Sequence, residues 1–164
     1  MKKSKYLSLF VILIALGCSR EDKQKSIDKE DAKVIVTEKL DQWHEDAAKA
    51  KFEPYFKTFS DSGIYIGTDA SEIWTVEEFK SFSKPYFDQG KAWSFEAIDR
   101  SLYLSKNGDV IWFDELLDTW MGKCRGSGVF QSHDDTWKLE HYVLSLTVPN
   151  EKMDSVIFAI NSIN

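Results

Sequence analysis

The sequence predicts an α+β domain in which helices collect on one face of a strongly curved antiparallel sheet and the two together form a cone. Three observations lead there. Up to about residue 88 the apolar residues recur at spacings of three and four, as on amphipathic helices. After Gly90 the period drops to two, and four long runs alternate with turn residues. Inside one of those runs stand Gly126 and Gly128, where a bulge or sharp coil lets a sheet bend. Helices on one side of such a sheet give a two-layer domain with a closed end and an open mouth, and mouths of this kind hold small ligands.

The elements follow in order. Asp28 to Lys49 reads as a helix with Ala32, Val36, Leu40, Trp43 and Ala47 as its apolar stripe and Asp28 as its N-cap. His44, between Trp43 and Glu45, reads as a surface residue. A short second helix tolerates Pro54 in its first turn and buries Phe52, Tyr55, Phe56 and Phe59. Asp61-Ser62-Gly63 reads as a turn, Ile64 to Gly67 as a short strand and Thr68 to Trp74 as a loop. Thr75 with Glu78 three residues later is a capping box, so a helix spans about 76 to 88, and Pro85 predicts a kink or an early end. Trp93 to Ser105 and Asp109 to Trp120 are strands joined by the hairpin signal Asn107-Gly108. Met121 to Lys123 is a turn, Cys124 to Ser132 a strand, Asp134-Asp135 a turn and Thr136 to Val148 the last strand. Asn150 then caps a final helix carrying Met153, Val156, Ile157 and Ile160.

Composition narrows the function classes. A chain of 164 residues, 43% hydrophobic and 14% aromatic, holds one domain with a substantial core. Its net charge of −6 is not the footprint of a nucleic-acid binder. Three His and two Cys are too few and too scattered for a zinc cluster, and no metal or cofactor is implied. Triad order, a phosphate-cradling loop and a dinucleotide fingerprint are all missing.

The N-terminus reads as an address. Lys2, Lys3 and Lys5 precede an apolar run from Leu7 to Leu16, too short for a membrane-spanning helix and right for a signal peptide. Ala15-Leu16-Gly17-Cys18 resembles the lipobox of bacterial lipoproteins, which implies cleavage before Cys18 and a lipid on its sulfur. The resulting organisation is a signal peptide over 1–17, a charged flexible tether over 18–28, the domain over 29–150 and a helical tail over 151–164. Loss of residues 1–17 removes three Lys and no acid, so the mature chain carries −9. The expected location is the cell envelope, on the periplasmic or outer-membrane face. Cys124 is left as a lone thiol.

The element order and several strings resemble the SnoaL-like branch of the nuclear transport factor 2-like (cystatin-like) superfamily. The strings are Gly67 to Thr75, Gly108 to Glu115, Arg125 to Val129, Trp137 to Tyr142, and Leu144-Ser145 followed by Val148-Pro149-Asn150. The resemblance implies a conical pocket, with a dimer frequently made through the outer sheet face. It spans isomerases, cyclases, ligand binders and assembly modules, so it names a fold more sharply than an activity. Enzymes of the superfamily use a carboxylate or His in an apolar pocket, where burial raises a carboxyl pKa.

The candidates are therefore polar residues among aromatic ones. Asp114 and Glu115 are adjacent in a strand, so one faces the cone and the other faces outward, or each pairs with Arg100 or Arg125. His141 shares a face with Trp137, Leu139, Val143 and Ser145 and serves as a pocket base or donor if that face lines the cone. Tyr65, Trp74, Trp93 and Trp112 are candidate lining residues, Arg125 a candidate anion holder, and Glu72 a carboxylate that can accept loop N–H groups. The first functional expectation is a membrane-tethered module binding a small apolar or amphiphilic ligand or a partner. The alternatives are an isomerase- or cyclase-type enzyme using Asp114 or Glu115 with His141 and Tyr65, and a structural dimerisation module.

Overall fold

The computed structural model describes residues 29–134 and 136–162. The expected signal peptide and tether, Cys18 and the expected Asp28 cap lie outside the described residues, as does Asp135. The elements are α1 (Lys29–Ala48), α2 (Phe52–Lys57), β1 (Phe59–Ile66), β2 (Ile73–Thr75), α3 (Val76–Asp88), β3 (Glu96–Leu104), β4 (Val110–Thr119), β5 (Gly122–His133), β6 (Thr136–Leu146) and α4 (Met153–Asn161), which a short 3₁₀ turn precedes.

The predicted α+β class holds. Six strands form one curved sheet in the order β2-β1-β6-β5-β4-β3. The sheet differs from a purely antiparallel one at a single seam, where β1 runs parallel to β6. Within β1 the register shifts between Phe59 and Ile64, so Asp61-Ser62-Gly63 is an irregular stretch inside a strand rather than a turn. The predicted loop before Trp74 ends in the short strand β2, which pairs with β1 through Tyr65 and Trp74. The predicted Trp93–Ser105 strand starts late, at Glu96, and leaves Trp93 and Phe95 ahead of the sheet.

The core lies between the sheet's concave face and the helices. From α1 the stripe Ala32, Val36, Leu40, Trp43 and Ala47 is buried almost completely. Trp43 stacks on Tyr55 of α2 at 5.0 Å and meets Tyr142 of β6 edge-on at 4.7 Å. From the sheet come Ile111, Phe113, Leu117, Phe130, Trp137 and Leu139, each at most 3% exposed. Burying an aliphatic or Phe side chain of this size stabilises by about 1.5–3 kcal/mol relative to leaving it in water. This aromatic packing fills the closed end of the cone.

Helix α3 begins with the predicted capping box: Glu78 N–H donates to Thr75 Oγ1, and Thr75 N–H donates to Glu78 Oε2 at 2.9 Å. Pro85 does not end this helix early, because its ring faces solvent while Phe79, Ser83 and Phe87 hold the opposite face in the core. Helix α4 is different. It contributes no buried residue, and Ile157, Phe158 and Ile160 are all exposed. Asn150 opens the 3₁₀ turn without making a side-chain cap.

Candidate functional site

The side of β4 that meets the helices decides which carboxylate points inward. In β4 the concave side carries Ile111, Phe113, Glu115 and Leu117, and the convex side carries Trp112, Asp114 and Leu116. Glu115 is completely buried. Its two oxygens hold three donors: His44 Nε2 at 2.9 Å and Tyr142 Oη at 3.1 Å on Oε1, and Arg100 Nε at 2.9 Å on Oε2. Arg100 Nη1 in turn donates to Asp41 at 2.7 Å. Burial alone would raise the Glu115 pKa, but the hydrogen bonds and positive charge of His44 and Arg100 outweigh it and hold the carboxyl below its ordinary range. An ionised carboxylate only accepts, so His44 Nε2 carries the proton in this pair.

His44 is thus a correction. The sequence suggested a surface residue, yet it is 7% exposed and belongs to the buried network. A signal was available: His44 lies four residues after Leu40 and three before Ala47, on the edge of the apolar stripe. Two glycines make room for the network. A Cβ on Gly126 would fall inside contact distance of Tyr142 Oη and Glu115, and one on Gly128 would strike the Phe113 ring and the His141 carbonyl. Gly126 and Gly128 are therefore points of close approach.

His141 does not join Glu115. In β6 the register shifts, with Phe130 opposite Leu139 and Val129 opposite His141, so Glu140 is an extra residue. That bulge reverses the alternation: Trp137 and Leu139 face inward before it, and Tyr142 and Leu144 face inward after it. His141 is put on the convex face, across the sheet from Glu115. Glu140 itself accepts from Ser60 Oγ at 2.7 Å and lies 2.6 Å from His133 Nε2.

Two other candidates also face outward. Arg125 pairs with Asp114 at 3.3 Å, and Trp112 stands on the convex surface with its ring 5.9 Å from that of Tyr103. Trp112 and Tyr103 are 47% and 44% exposed, which leaves an aromatic patch on that face.

The remaining candidates meet at the open end. A cleft of about 150 Å³ is bounded by the ends of β1 and β6, the loop leading into β2, the start of α3, the segment before β3 and the β4–β5 turn. Tyr65, Trp74 and Trp93 all line it, joined by Phe82, Phe95 and Trp120. Phe79 lies behind them, stacked on Tyr65 at 3.9 Å and on Trp74 at 5.5 Å, so the wall is a set of near-parallel rings. The polar part of the lining is Tyr65, Thr68 and Glu72 with the backbone at Gly67. Glu72 accepts from the Asp69 N–H at 3.1 Å and lies over Gly67, where a Cβ would collide with it. Burial, and then the negative charge of Glu72, push the Tyr65 phenol well above its usual pKa, so it stays protonated and can donate a hydrogen bond. Phe82, Phe95 and Trp120 are aromatic lining residues that the sequence reading missed. Trp120 was placed at a strand end, and its 82% exposure follows from the turn in which it sits.

Among the described residues no group of three His, Cys, Asp or Glu converges to hold a metal ion. A conical α+β domain with a packed closed end and an aromatic-lined mouth is the class that fold and site define. The chain belongs to the SnoaL-like domain family, whose model matches residues 36–149. No curated protein matches it in sequence. Among solved structures it is similar to an NTF2-like protein of unknown function from Pseudomonas putida KT2440, with a TM-score of 0.63 and 11% identity over 75% of this chain and 92% of that one. It is also similar to the association domain of C. elegans CaMKII, with a TM-score of 0.59 and 15% identity over 72% of this chain and 98% of that one. A candidate ketosteroid isomerase from Parabacteroides distasonis aligns with a TM-score of 0.53 and 14% identity over 67% of this chain and 86% of that one. At these identities the likeness is one of fold.

Proposed function

We propose that this protein is a small-ligand binding module of the bacterial cell envelope, tethered through a lipid on Cys18. The observation that carries the binding reading is the division of the cone. Its interior is filled by aromatic side chains, and the interior carboxylate Glu115 is occupied by three donors. At the mouth the aromatic-lined cleft of about 150 Å³ is large enough for a compact apolar or amphiphilic group. Calorimetric titration with small amphiphilic probes tests it: binding is expected in the wild type and weakened in Trp120→Ala, whose 82% exposure keeps the fold out of the result. No binding by any probe would remove the reading. The tether rests on the lipobox-like Ala15-Leu16-Gly17-Cys18. Metabolic labelling with an alkynyl fatty acid is expected to mark the wild type and not Cys18→Ala, and an unlabelled wild type would contradict it.

A second reading, self-association through the convex sheet face, is favoured by the exposed Trp112 and Tyr103. The adjacent Asp114 and Arg125 neutralise each other, so two copies of this face would meet without like-charge repulsion. The isomerase reading needs Asp114 or Glu115 to meet His141 and Tyr65 in the cone, but Asp114 and His141 face outward and Glu115 faces inward without His141.

A further inference from the structure

The lining of the cleft constrains what it takes. The rings of Tyr65, Trp74, Trp93, Phe95 and Trp120 present π-faces and edges, and a single carboxylate, Glu72, stands among them. Lys, Arg and His are all missing from the lining. Glu72 is half-buried, it accepts from the backbone N–H of Asp69, and it makes no ion pair with a cation among the described residues. The two buried carboxylates among the described residues are each matched, Glu115 by Arg100 and Asp46 by Lys51. A partly desolvated carboxylate at the edge of an aromatic wall is unmatched by comparison. A neutral apolar guest would leave it so, and an anionic guest would be repelled.

An alkylammonium group answers both features. It is apolar on its surface, it carries a diffuse positive charge attracted by the negative faces of Trp and Tyr rings, and it is compact enough for the cleft volume. The acidic net charge of the chain, −6, adds a long-range bias in the same direction. We propose that the mouth cleft selects a small organic cation, a quaternary or tertiary alkylammonium group, with the aromatic wall holding its alkyl surface and Glu72 balancing its charge. This assignment rests on the ligand-binding reading above and names the chemical class of that ligand.

The test compares choline with its uncharged carbon isostere, dimethylbutanol, by calorimetric titration of the mature chain. Shape is shared and charge is the difference. The wild type is expected to bind choline about tenfold more tightly than the isostere. Glu72→Gln keeps an oxygen for the Asp69 N–H and is expected to reduce the preference to about twofold or less, with circular dichroism unchanged. Equal binding of the two probes, or a preference for the isostere, would overturn the cation assignment while leaving a binding cleft in place. An unaltered preference in a folded Glu72→Gln would equally overturn it, since the charge would then lie elsewhere. Binding of neither probe would also overturn the cation assignment, and the amphiphilic probes above then decide the binding reading separately.

Discussion

Replacing Glu115 with Gln isolates the buried network from everything around it. The amide has nearly the same shape, so no cavity forms, but the charge disappears and one oxygen becomes a donor facing His44, Tyr142 or Arg100. Arg100 is left with the Thr37 carbonyl at 3.4 Å and with Asp41, whose side chain is 64% exposed and screened by water. Breaking a buried pair by removing one partner costs about 3–5 kcal/mol. The surviving Asp41 contact puts this case at the lower end, about 3 kcal/mol, which for a domain of this size lowers Tm by about 10 °C. The pH dependence carries a sign. The folded-state pKa of Glu115 lies below its ordinary value of 4.5, so its stabilisation is present above that value and is lost as pH falls through the folded-state pKa. Urea unfolding followed by Trp fluorescence should therefore show the full difference between wild type and Glu115→Gln at pH 7, shrinking below pH 4.5. Arg100→Met combined with Glu115→Gln should cost less than the two single changes added together. A loss under about 1 kcal/mol at neutral pH, or one that persists undiminished into acid, would refute the reasoning.

Gly126→Ala should destabilise by about 2 kcal/mol, because its Cβ drives into Tyr142 Oη and Glu115 where no cavity can absorb it; urea unfolding reads the cost, and a neutral result would show that the network can shift. Thr75→Ala removes the Oγ1 acceptor for the Glu78 N–H and should cost about 1 kcal/mol by the same method. Trp112→Glu should shift sedimentation toward a monomer without changing the circular dichroism, if copies associate through the convex face. A wild type that sediments as a monomer at high concentration would contradict that arrangement.

Much of the fold was legible because it depended on local chemistry. The α1 stripe, the Thr75–Glu78 box, the Asn107-Gly108 hairpin and the change of period after Gly90 each report on residues within a few positions of one another. The parallel pairing of β1 with β6 joins residues far apart in the chain, such as Tyr65 and Tyr142, and no short-range pattern announces it. The site divided along the same line. Tyr65, Trp74 and Trp93 could be picked out as aromatic residues near strand ends, and they lie in the cleft together. His141 was assigned its face by alternation, and the single extra residue Glu140 inverted that assignment. His44 was read from its charged neighbour Glu45, when its spacing from Leu40 and Ala47 carried the information. The fate of Asp114 and Glu115 needed one fact that strand alternation leaves open, namely which side of β4 meets the helices.

The six Trp residues supply reporters for the ligand-binding reading. Trp74, Trp93 and Trp120 line the cleft, Trp43 and Trp137 are 2% and 1% exposed in the core, and Trp112 is on the convex face. In a ¹⁵N-labelled sample each indole N–H gives its own NMR signal, so a titration with a small alkylammonium or apolar probe reads all three environments at once. Binding at the mouth should move the signals of Trp74, Trp93 and Trp120 along one saturable curve and leave Trp43, Trp112 and Trp137 in place. Movement confined to Trp112, or no saturable movement at the three cleft residues, would contradict it.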